Sequence, residues 1–418
     1  MVSPSNNSIL LLQSPKEKVC ALAFLLALCA FSFALKYQEY RTLSSKKPLE
    51  LHAQVVLQYP KNDYFVLKLK DAHGNNFYTT SKEDIKDLTL SFVKAWGKMR
   101  PCSFWQFLKA CYFYTFRLSL SPKDDPTILW RNFINAQHTS PLTANFYRTL
   151  FLADPLDKNL RQVVVGFGVS HLIAISGFHL GVLSAFFFYL LSLPYQFLQQ
   201  RYFPYRNRYF DLMAGVLVLL LGYLILLHFQ PAFLRAFVMA LVGFILVYGG
   251  VALVRFELLG LSGLACLAFE PSFVRHAGFW LSIGGVFYIF LFIKHMPKMP
   301  VWLYALLFNS LIFIQMLPLA HAFFAPFGVA QLSGIVLSFV FVVFFPLVLS
   351  LHALHLGGLL DPYLLPLAHL SLHLKSFFTP SWFLLPYLFL SLLGVRFMWA
   401  YVALGVAGVG LLLYLLIF

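Results

Sequence analysis

The chain has 418 residues, of which 60% are hydrophobic and only 11% are charged. A soluble domain carries about 25% charged residues, so this composition excludes an ordinary soluble enzyme or binding module. It predicts a polytopic α-helical membrane protein. The net charge is +15, and both the part before Arg161 and the part from Arg161 onward are basic. Basic loops are typical of the cytoplasmic side of a membrane, whereas a basic extramembrane segment favours nucleic acid or anionic membrane lipid as its partner.

The first element is an apolar run over residues 19–35 that follows Lys16 and Lys18. About 17 residues are just enough to cross a bilayer and are long for the apolar part of a signal peptide. We therefore expect a cytoplasmic N-terminus over 1–18 and an uncleaved transmembrane anchor over 19–35. A cleaved signal peptide is the alternative.

The segment 36–161 is more polar and begins with strand-like alternation. Asn62-Asp63 and His73–Asn76 supply turns between three short alternating runs, at 52–58, 64–70 and 76–80. This pattern predicts a small antiparallel β-rich domain. The stretch Pro101–Tyr114 is rich in aromatic residues and lysine, as is typical of an amphipathic helix on a membrane surface or of a surface that stacks bases.

Two cysteines, Cys102 and Cys111, lie in this same stretch. An oxidising compartment would allow them to pair. If they share one helix, nine residues separate them by about 13 Å, which is too far for a disulfide. The sequence leaves pairing open.

From residue 162 to 418 apolar runs follow one another. With the anchor they predict about ten transmembrane helices, the nine later ones at roughly 177–193, 210–228, 232–249, 251–268, 278–293, 301–319, 329–350, 380–395 and 397–417. The positive-inside rule places the loops with Arg201 and Lys294 in the cytoplasm. Counting spans from there places 36–161 outside the cytoplasm, Lys375 inside and Arg396 outside.

The segment Leu351–Leu374 interrupts the pattern with several histidines and prolines. Irregular backbone at membrane depth is tolerated where it is buried in protein or lines a wet cavity, so we expect a cavity wall. The spacing of His352 and His355, and of His369 and His373, would allow metal binding. There is no His-Glu-x-x-His motif and no carboxylate cluster, so we predict no metal and no other cofactor.

The densest polar cluster is Ser170–His179. Ser176 and His179 fall on one helix face, and such a pair suggests a hydrolase. A nucleophile elbow would need glycine where Ala174 stands, and no acid lies nearby to orient the histidine. No phosphate-binding Gly-x-x-x-x-Gly-Lys-Ser/Thr loop occurs either. We therefore predict that the chain is not an enzyme, with an intramembrane hydrolase as the less favoured alternative.

The run His171-Leu-Ile-Ala-Ile-Ser-Gly-Phe-His179 resembles the signature that opens the membrane domain of the ComEC family of competence proteins. The lead-in stretches Tyr147–Asp154 and Phe167–His171 are also similar to that family. So are Pro231–Ala236, Arg255, and the later stretches Glu270-Pro271 and Gly278–Ser282. The similarity covers about residues 150–349. Family members often carry a C-terminal metallo-β-lactamase-like domain, and this chain resembles a short form without it.

The resemblance implies an inner-membrane (plasma-membrane) channel, reached through an OB-like extracytoplasmic domain, that admits single-stranded transforming DNA during natural competence. It also implies three kinds of partner: a periplasmic DNA receptor, a cytoplasmic helicase-like motor and single-strand-binding proteins. A transporter of a small molecule or lipid-linked precursor is the alternative function. Charges inside spans are functional candidates, and so are polar residues at the start of the matched domain. Our candidates for the DNA pathway are His171, Ser176, Gly177, His179, Arg235 and Arg255.

The extracytoplasmic segment supplies a second group of candidates. Lysines can contact phosphates, and aromatic rings can stack on bases, in a manner that does not depend on sequence. The candidates for DNA contact there are Lys61, Lys68, Lys70, Trp105, Lys109 and Tyr112.

Overall fold

The computed structural model describes residues 15–45, 47–82, 87–121, 127–248, 256–368, 370 and 372–417. They form two compact units. The first contains Leu12–Leu129 and Gly263–His276, and the second contains Trp130–Ser262 and Ala277–Phe418.

The first unit begins with a long apolar helix, α1 (Pro15–Leu43), and continues as a five-stranded closed barrel. The strands are β1 (Leu49–Lys61), β2 (Tyr64–Asp71), β3 (Asn76–Ser81), β4 (Phe92–Met99) and β5 (Cys111–Leu120). Neighbouring strands in the barrel follow the order β1-β2-β3-β5-β4, with β3 and β5 parallel and the other pairs antiparallel. This barrel confirms the predicted N-terminal β-rich domain, and a five-stranded barrel is also the architecture of an OB-fold.

Side-chain alternation explains the barrel core. Leu67 and Leu69 on β2 are fully buried, and Phe77 and Phe113 fill the same interior from β3 and β5. Burying each such side chain stabilises the fold by about 1.5–3 kcal/mol. The residues between the two leucines and after them point outward, and this leaves the lysines of β2 on the barrel surface.

Of the two interpretations of Pro101–Tyr114, the amphipathic helix is wrong. Only one helical turn forms, α2 (Phe104–Phe107), and Ser103 caps it through a capping box with Gln106. The chain then turns back into β5, because Cys111 and Phe113 belong to the barrel core. This turn brings the Cα atoms of Cys102 and Cys111 to 6.2 Å, and the two cysteines form a disulfide.

The second unit is a helical bundle. Its helices are α3 (Ile128–Asn135), α4 (Pro141–Leu152), α5 (Lys158–Gly166), α6 (Ser170–Ile173), α7 (Gly177–Tyr202), α8 (Arg208–Leu226), α9 (Pro231–Tyr248), α10 (Phe256–Phe269), α11 (Ala277–His295), α12 (Val301–His321), α13 (Ser333–Ala353), α14 (Asp361–Leu367), α15 (Ser381–Gly394) and α16 (Met398–Ile417). Helix α3 begins two residues before Trp130, where this unit starts, and α10 continues past Ser262, where the first part of the unit ends. A short pair of strands, β6 (Pro326–Phe327) and β7 (Lys375–Ser376), joins two loops.

Within the described residues, seven helices are long and apolar enough to cross a membrane. Three shorter apolar helices, over Ala232–Ile245, Phe256–Phe269 and Ser381–Gly394, account for the remaining predicted runs. The predicted class, a polytopic α-helical membrane protein with an N-terminal β-rich domain, is confirmed.

The bundle has two distinct ends. At the motif end, where α7, α9 and α11 begin, Arg235 of α9 donates a hydrogen bond to the carbonyl oxygen of Gly278 at the start of α11. At the opposite end, where α7, α11 and α15 finish, Lys294 and His295 contact the carbonyl oxygens of Val395 and Gly394. Arg396 therefore lies at the same end as Lys294, and the sequence-based expectation that they lie on opposite sides is wrong.

The loop after α13 explains the error. The backbone N–H of Thr379 donates to the carbonyl oxygen of His321, and β6 pairs with β7, so α15 begins at the end where α12 finishes. The chain from His321 to Thr379 therefore makes no net crossing, although residues 329–350 were predicted to form one span. The returning segment contains a 3₁₀ turn (Gly357–Leu360) and α14. His369 lies outside the described residues.

Candidate functional site

The signature run forms a bent entry into α7 instead of one continuous helix. Residues Ser170–Ile173 make the single turn α6, the backbone of Ala174 is extended, and α7 starts at Gly177. His171 is exposed on α6, whereas His179 is fully buried in α7. The two histidines of the motif therefore have different surroundings.

Ser176 and His179 together cap α7. The backbone N–H of Phe178 donates to Ser176 Oγ at 3.3 Å, and the backbone N–H of Ser176 donates to His179 Nδ1 at 3.4 Å. The Ser176 hydroxyl donates to the carbonyl oxygen of His171 at 3.3 Å. This is a capping box in which histidine takes the place of the usual glutamate or glutamine. The pair satisfies backbone groups at a helix start, which explains its i, i+3 spacing.

The outer nitrogen of His179 faces aromatic rings. Its imidazole lies 5.0 Å from the ring of Phe341 and 4.9 Å from the ring of Phe345, both on α13. Its Nε2 atom is buried and has no hydrogen-bond partner within the described part of the chain. Because Nδ1 accepts from the backbone, Nε2 carries the ring proton and is a buried donor at the motif end.

Gly177 and Arg235 lie at the same end. A Cβ atom on Gly177 would sit 3.4 Å from Cβ of Ala236, so glycine lets α7 and α9 approach closely. The neighbouring Arg235 is 5% exposed, donates from Nη2 to Gly278 at 2.8 Å, and lies 5.9 Å from the ring of Phe279. The structure thus places Ser176, Gly177 and His179 at the start of α7 and Arg235 near the start of α9, in contact with the start of α11. Arg255 lies outside the described residues.

The lead-in residues that resemble the family pattern also pack in the bundle. Asp154 is buried and accepts hydrogen bonds from Nε and Nη2 of Arg131, each at 3.0 Å to one of its oxygens. The carbonyl oxygen of Phe151 accepts from the hydroxyl of Tyr223 on α8 at 2.7 Å. These contacts hold the chain before the signature against the bundle. The sequence pointed to Asp154 but gave no indication of its partners.

Four of the extracytoplasmic candidates share one region of the barrel. Lys68 of β2 pairs in register with Tyr78 of β3, which pairs with Tyr112 of β5, so the three side chains form a row across the outer face. Lys70 lies two residues further along the same face. Burial and the positive charge of Lys109 both lower the pKa of Lys68. Burial and the charge of Lys68 likewise lower the pKa of Lys70.

The other two candidates lie at the edges of this face. Trp105 on α2 is 58% exposed. Lys61 pairs with Tyr64 at the far end of β2, which places it about 20 Å along the strand from Lys70. Two exposed aromatic residues, Tyr59 on β1 and Tyr78 on β3, were not among the predicted candidates. The alternation of β1 and β3 was the signal that could have identified them.

The described residues contain no group of three or more histidine, cysteine, aspartate or glutamate side chains that could hold a metal ion. The fold and the motif end define the class as a polytopic helical membrane protein with an OB-like domain. The model of one family, described as competence protein, matches residues 153–418. The chain belongs to the competence protein family. No curated protein matches it, and no solved structure does.

Proposed function

We propose that this protein is the inner-membrane channel through which single-stranded DNA enters the cytoplasm during natural transformation. The observation that carries the proposal is the family match over 153–418, together with the motif end, where three helix starts converge on buried polar side chains. Membership of the family supports a role in DNA uptake. Passage that does not depend on sequence needs contacts to phosphates and stacking on bases, and Arg235 and the His171–His179 entry are our candidates for the channel lining.

The proposed orientation places the motif end outside the cytoplasm. In the described part of the chain, the opposite end carries basic residues that include Arg201, Lys294 and Arg396, as the positive-inside rule requires of the cytoplasmic side. The Cys102–Cys111 disulfide supports an oxidising compartment for the barrel.

We propose that the barrel receives the strand on its β2–β3–β5 face. In OB-folds the face of strands 2 and 3 and the adjoining loops bind oligonucleotides. Here that face offers Lys68 and Lys70 for phosphates and the rings of Tyr78 and Tyr112 for stacking, with Trp105 and Lys109 in the β4–β5 loop.

A deletion strain tests the function. We expect the strain to bind labelled duplex DNA at its surface but to deliver none of it to the cytoplasm, and complementation by the wild-type chain should restore delivery. Normal entry of labelled DNA in the deletion strain would refute the channel and leave a small-molecule or lipid-precursor transporter as the alternative.

A further inference from the structure

Three titratable side chains from separate parts of the chain meet inside the bundle. His138 comes from the loop between α3 and α4, His352 from the end of α13, and Asp361 from the start of α14. The side chain of His138 is fully covered and that of Asp361 is 10% exposed, while His352 is 3% exposed as a residue. Such groups are costly to bury unless their hydrogen bonds are complete, so their contacts define their protonation.

The contacts can be followed atom by atom. His352 Nδ1 lies 2.7 Å from the carbonyl oxygen of Val348, which can only accept, so this nitrogen carries a proton. His352 Nε2 lies 3.0 Å from His138 Nε2, so one of these two nitrogens must donate. His138 Nδ1 lies 3.0 Å from each carboxylate oxygen of Asp361, and that contact also needs a proton.

The three contacts therefore need three protons, but two neutral imidazoles and an ionised carboxylate supply only two. We propose that His138, His352 and Asp361 form a buried binding site for one additional dissociable proton, which holds the α3–α4 loop to the segment that follows α13. With that proton bound, His138 is an imidazolium that donates to both neighbours, and its charge offsets that of Asp361.

The surrounding residues favour the state of the cluster in which the additional proton is bound. Thr143 donates to Asp361 Oδ2 at 3.1 Å, and the ring of Tyr147 stacks on His138 at a centroid distance of 4.7 Å. Tyr147 is a further titratable group that faces the cluster, since its ring also lies 4.6 Å from that of His352. Burial and the charge of Asp361 raise its pKa, so it stays neutral. Gln137 binds both the carbonyl oxygen of His352 and the backbone N–H of Gly357, which fixes the two segments from the side.

The proton count predicts how the contact between the two histidines changes with pH. If the additional proton leaves at alkaline pH, two Nε2 lone pairs face each other at 3.0 Å and the contact between the histidines becomes repulsive. Asp361→Asn removes this dependence without removing the contacts. An asparagine amide can donate to His138 Nδ1, after which His138 Nε2–H donates to His352 with both rings neutral. The variant therefore keeps the cluster and needs no additional proton.

The test compares thermal unfolding of the full-length wild type and Asp361→Asn in detergent from pH 6 to pH 10. We expect the midpoint of the wild type to fall relative to that of the variant as pH rises, by at least about 2 °C. His355→Asn is the matched control, since His355 is exposed, packs on Phe133 and lies outside the cluster; its curve should parallel the wild type. Parallel curves for wild type and Asp361→Asn would overturn the proposal.

A second measurement uses the wild type alone and does not depend on the variant folding. The rate of deuterium exchange at the imidazole C2 position, followed by mass spectrometry, reports the titration of each histidine. We expect His138 to remain protonated at a pH where His355 has already lost its proton. If His138 titrates together with His355, the site holds no additional proton.

Discussion

Ser176 has a defined structural task at the start of α7. Its side chain accepts the N–H of Phe178 and its own N–H is satisfied by His179, so the serine stabilises the helix start. Ser176→Ala should reduce the stability of the protein by about 1 kcal/mol, which is typical of a lost N-cap. We expect DNA uptake to persist at a level that follows the amount of folded protein in the membrane.

Ser176→Thr, which keeps the capping oxygen, is the control for this change. The intramembrane hydrolase alternative predicts a different result: Ser176→Ala would abolish activity while the thermal unfolding midpoint and membrane abundance stay unchanged. That outcome would also contradict the capping role.

Arg235 combines a positive charge with a structural contact. It is buried, and it ties α9 to the carbonyl oxygen of Gly278. Arg235→Ala should lower DNA uptake more than Arg235→Lys, because lysine keeps the charge but not the planar group that reaches Gly278. Uptake normalised to the amount of folded protein is the measurement. Equal uptake by the two variants would show that the charge has no part in the pathway.

Among the elements, the β2–β3–β5 face of the barrel has the clearest electrostatic signature. Lys68→Ala together with Lys109→Ala should weaken binding of single-stranded DNA by the full-length protein. It should also reduce the slope of log affinity against log salt by about 1.4, since each phosphate contact contributes about 0.7. Lys98→Ala is the control, because Lys98 is exposed like Lys109 but lies on β4. An unchanged slope in the double variant would remove this face from the pathway.

The same face should show a pH dependence. Burial and the charge of Lys109 lower the pKa of Lys68, so Lys68 loses its positive charge at a lower pH than an ordinary lysine. DNA affinity should therefore decline as pH rises toward the alkaline range. Lys109→Ala alone should move that decline to higher pH, because it removes one of the two causes. A titration of DNA binding against pH for both proteins checks the direction of the shift.

The disulfide between Cys102 and Cys111 closes the loop that carries Trp105 and Lys109. Closing a loop of about ten residues stabilises a fold by about 2–3 kcal/mol in the chain-entropy description. Cys102→Ser with Cys111→Ser should lower the thermal unfolding midpoint by several degrees. Alkylation of unreduced protein taken from cells should label neither cysteine, and labelling of both would contradict an oxidising compartment for the barrel.

Sequence alone identified the elements whose pattern is regular. Strands β1 to β3 alternate between buried and outward residues, and the anchor and the later helices are long apolar runs. Strand β5 was mistaken for part of a helix, because Tyr114 and Phe116 are exposed aromatic residues and leave its outer face almost as apolar as its inner face. The i, i+3 spacing of Ser176 and His179 was visible, but their capping role depends on the extended backbone at Ala174 and Ser176.

Contacts between distant parts of the chain could not be predicted in this way. His138 and Asp361 are 223 residues apart, and no local pattern in one sequence links them. Arg396 was placed on the wrong side for a related reason: the hydrogen bond between Thr379 and His321 joins segments that hydropathy treats as independent.

For the molecule as a whole, we predict that it cannot drive DNA inward unaided. Each nucleotide carries a negative charge, and moving one charge through the membrane potential involves about 2.3 kcal/mol per 100 mV. The cytoplasm is the negative side, so the potential opposes entry, and the sequence contains no phosphate-binding loop for ATP. We propose that the energy comes from partners: a periplasmic DNA receptor, a helicase-like motor in the cytoplasm, and single-strand-binding proteins that trap the strand.

Reconstitution of the purified chain in liposomes tests this. With no motor and no imposed gradient, labelled single-stranded DNA should equilibrate slowly or not enter at all, and adding a single-strand-binding protein inside the vesicles should increase its accumulation. Sustained accumulation against a concentration difference by this chain alone would contradict the prediction.

The hydrogen bond from Thr379 to His321 has a consequence for experiments on living cells. Because α15 starts where α12 finishes, α16 runs from the basic end, next to Lys294, back to the motif end. A reporter joined after Ile417 would then be exported. Alkaline phosphatase, which matures only outside the cytoplasm, should be active in that fusion, and green fluorescent protein should be dark. The same two reporters inserted in the loop at Arg206 should give the reverse pattern, which makes the pair a direct readout of which way the protein faces.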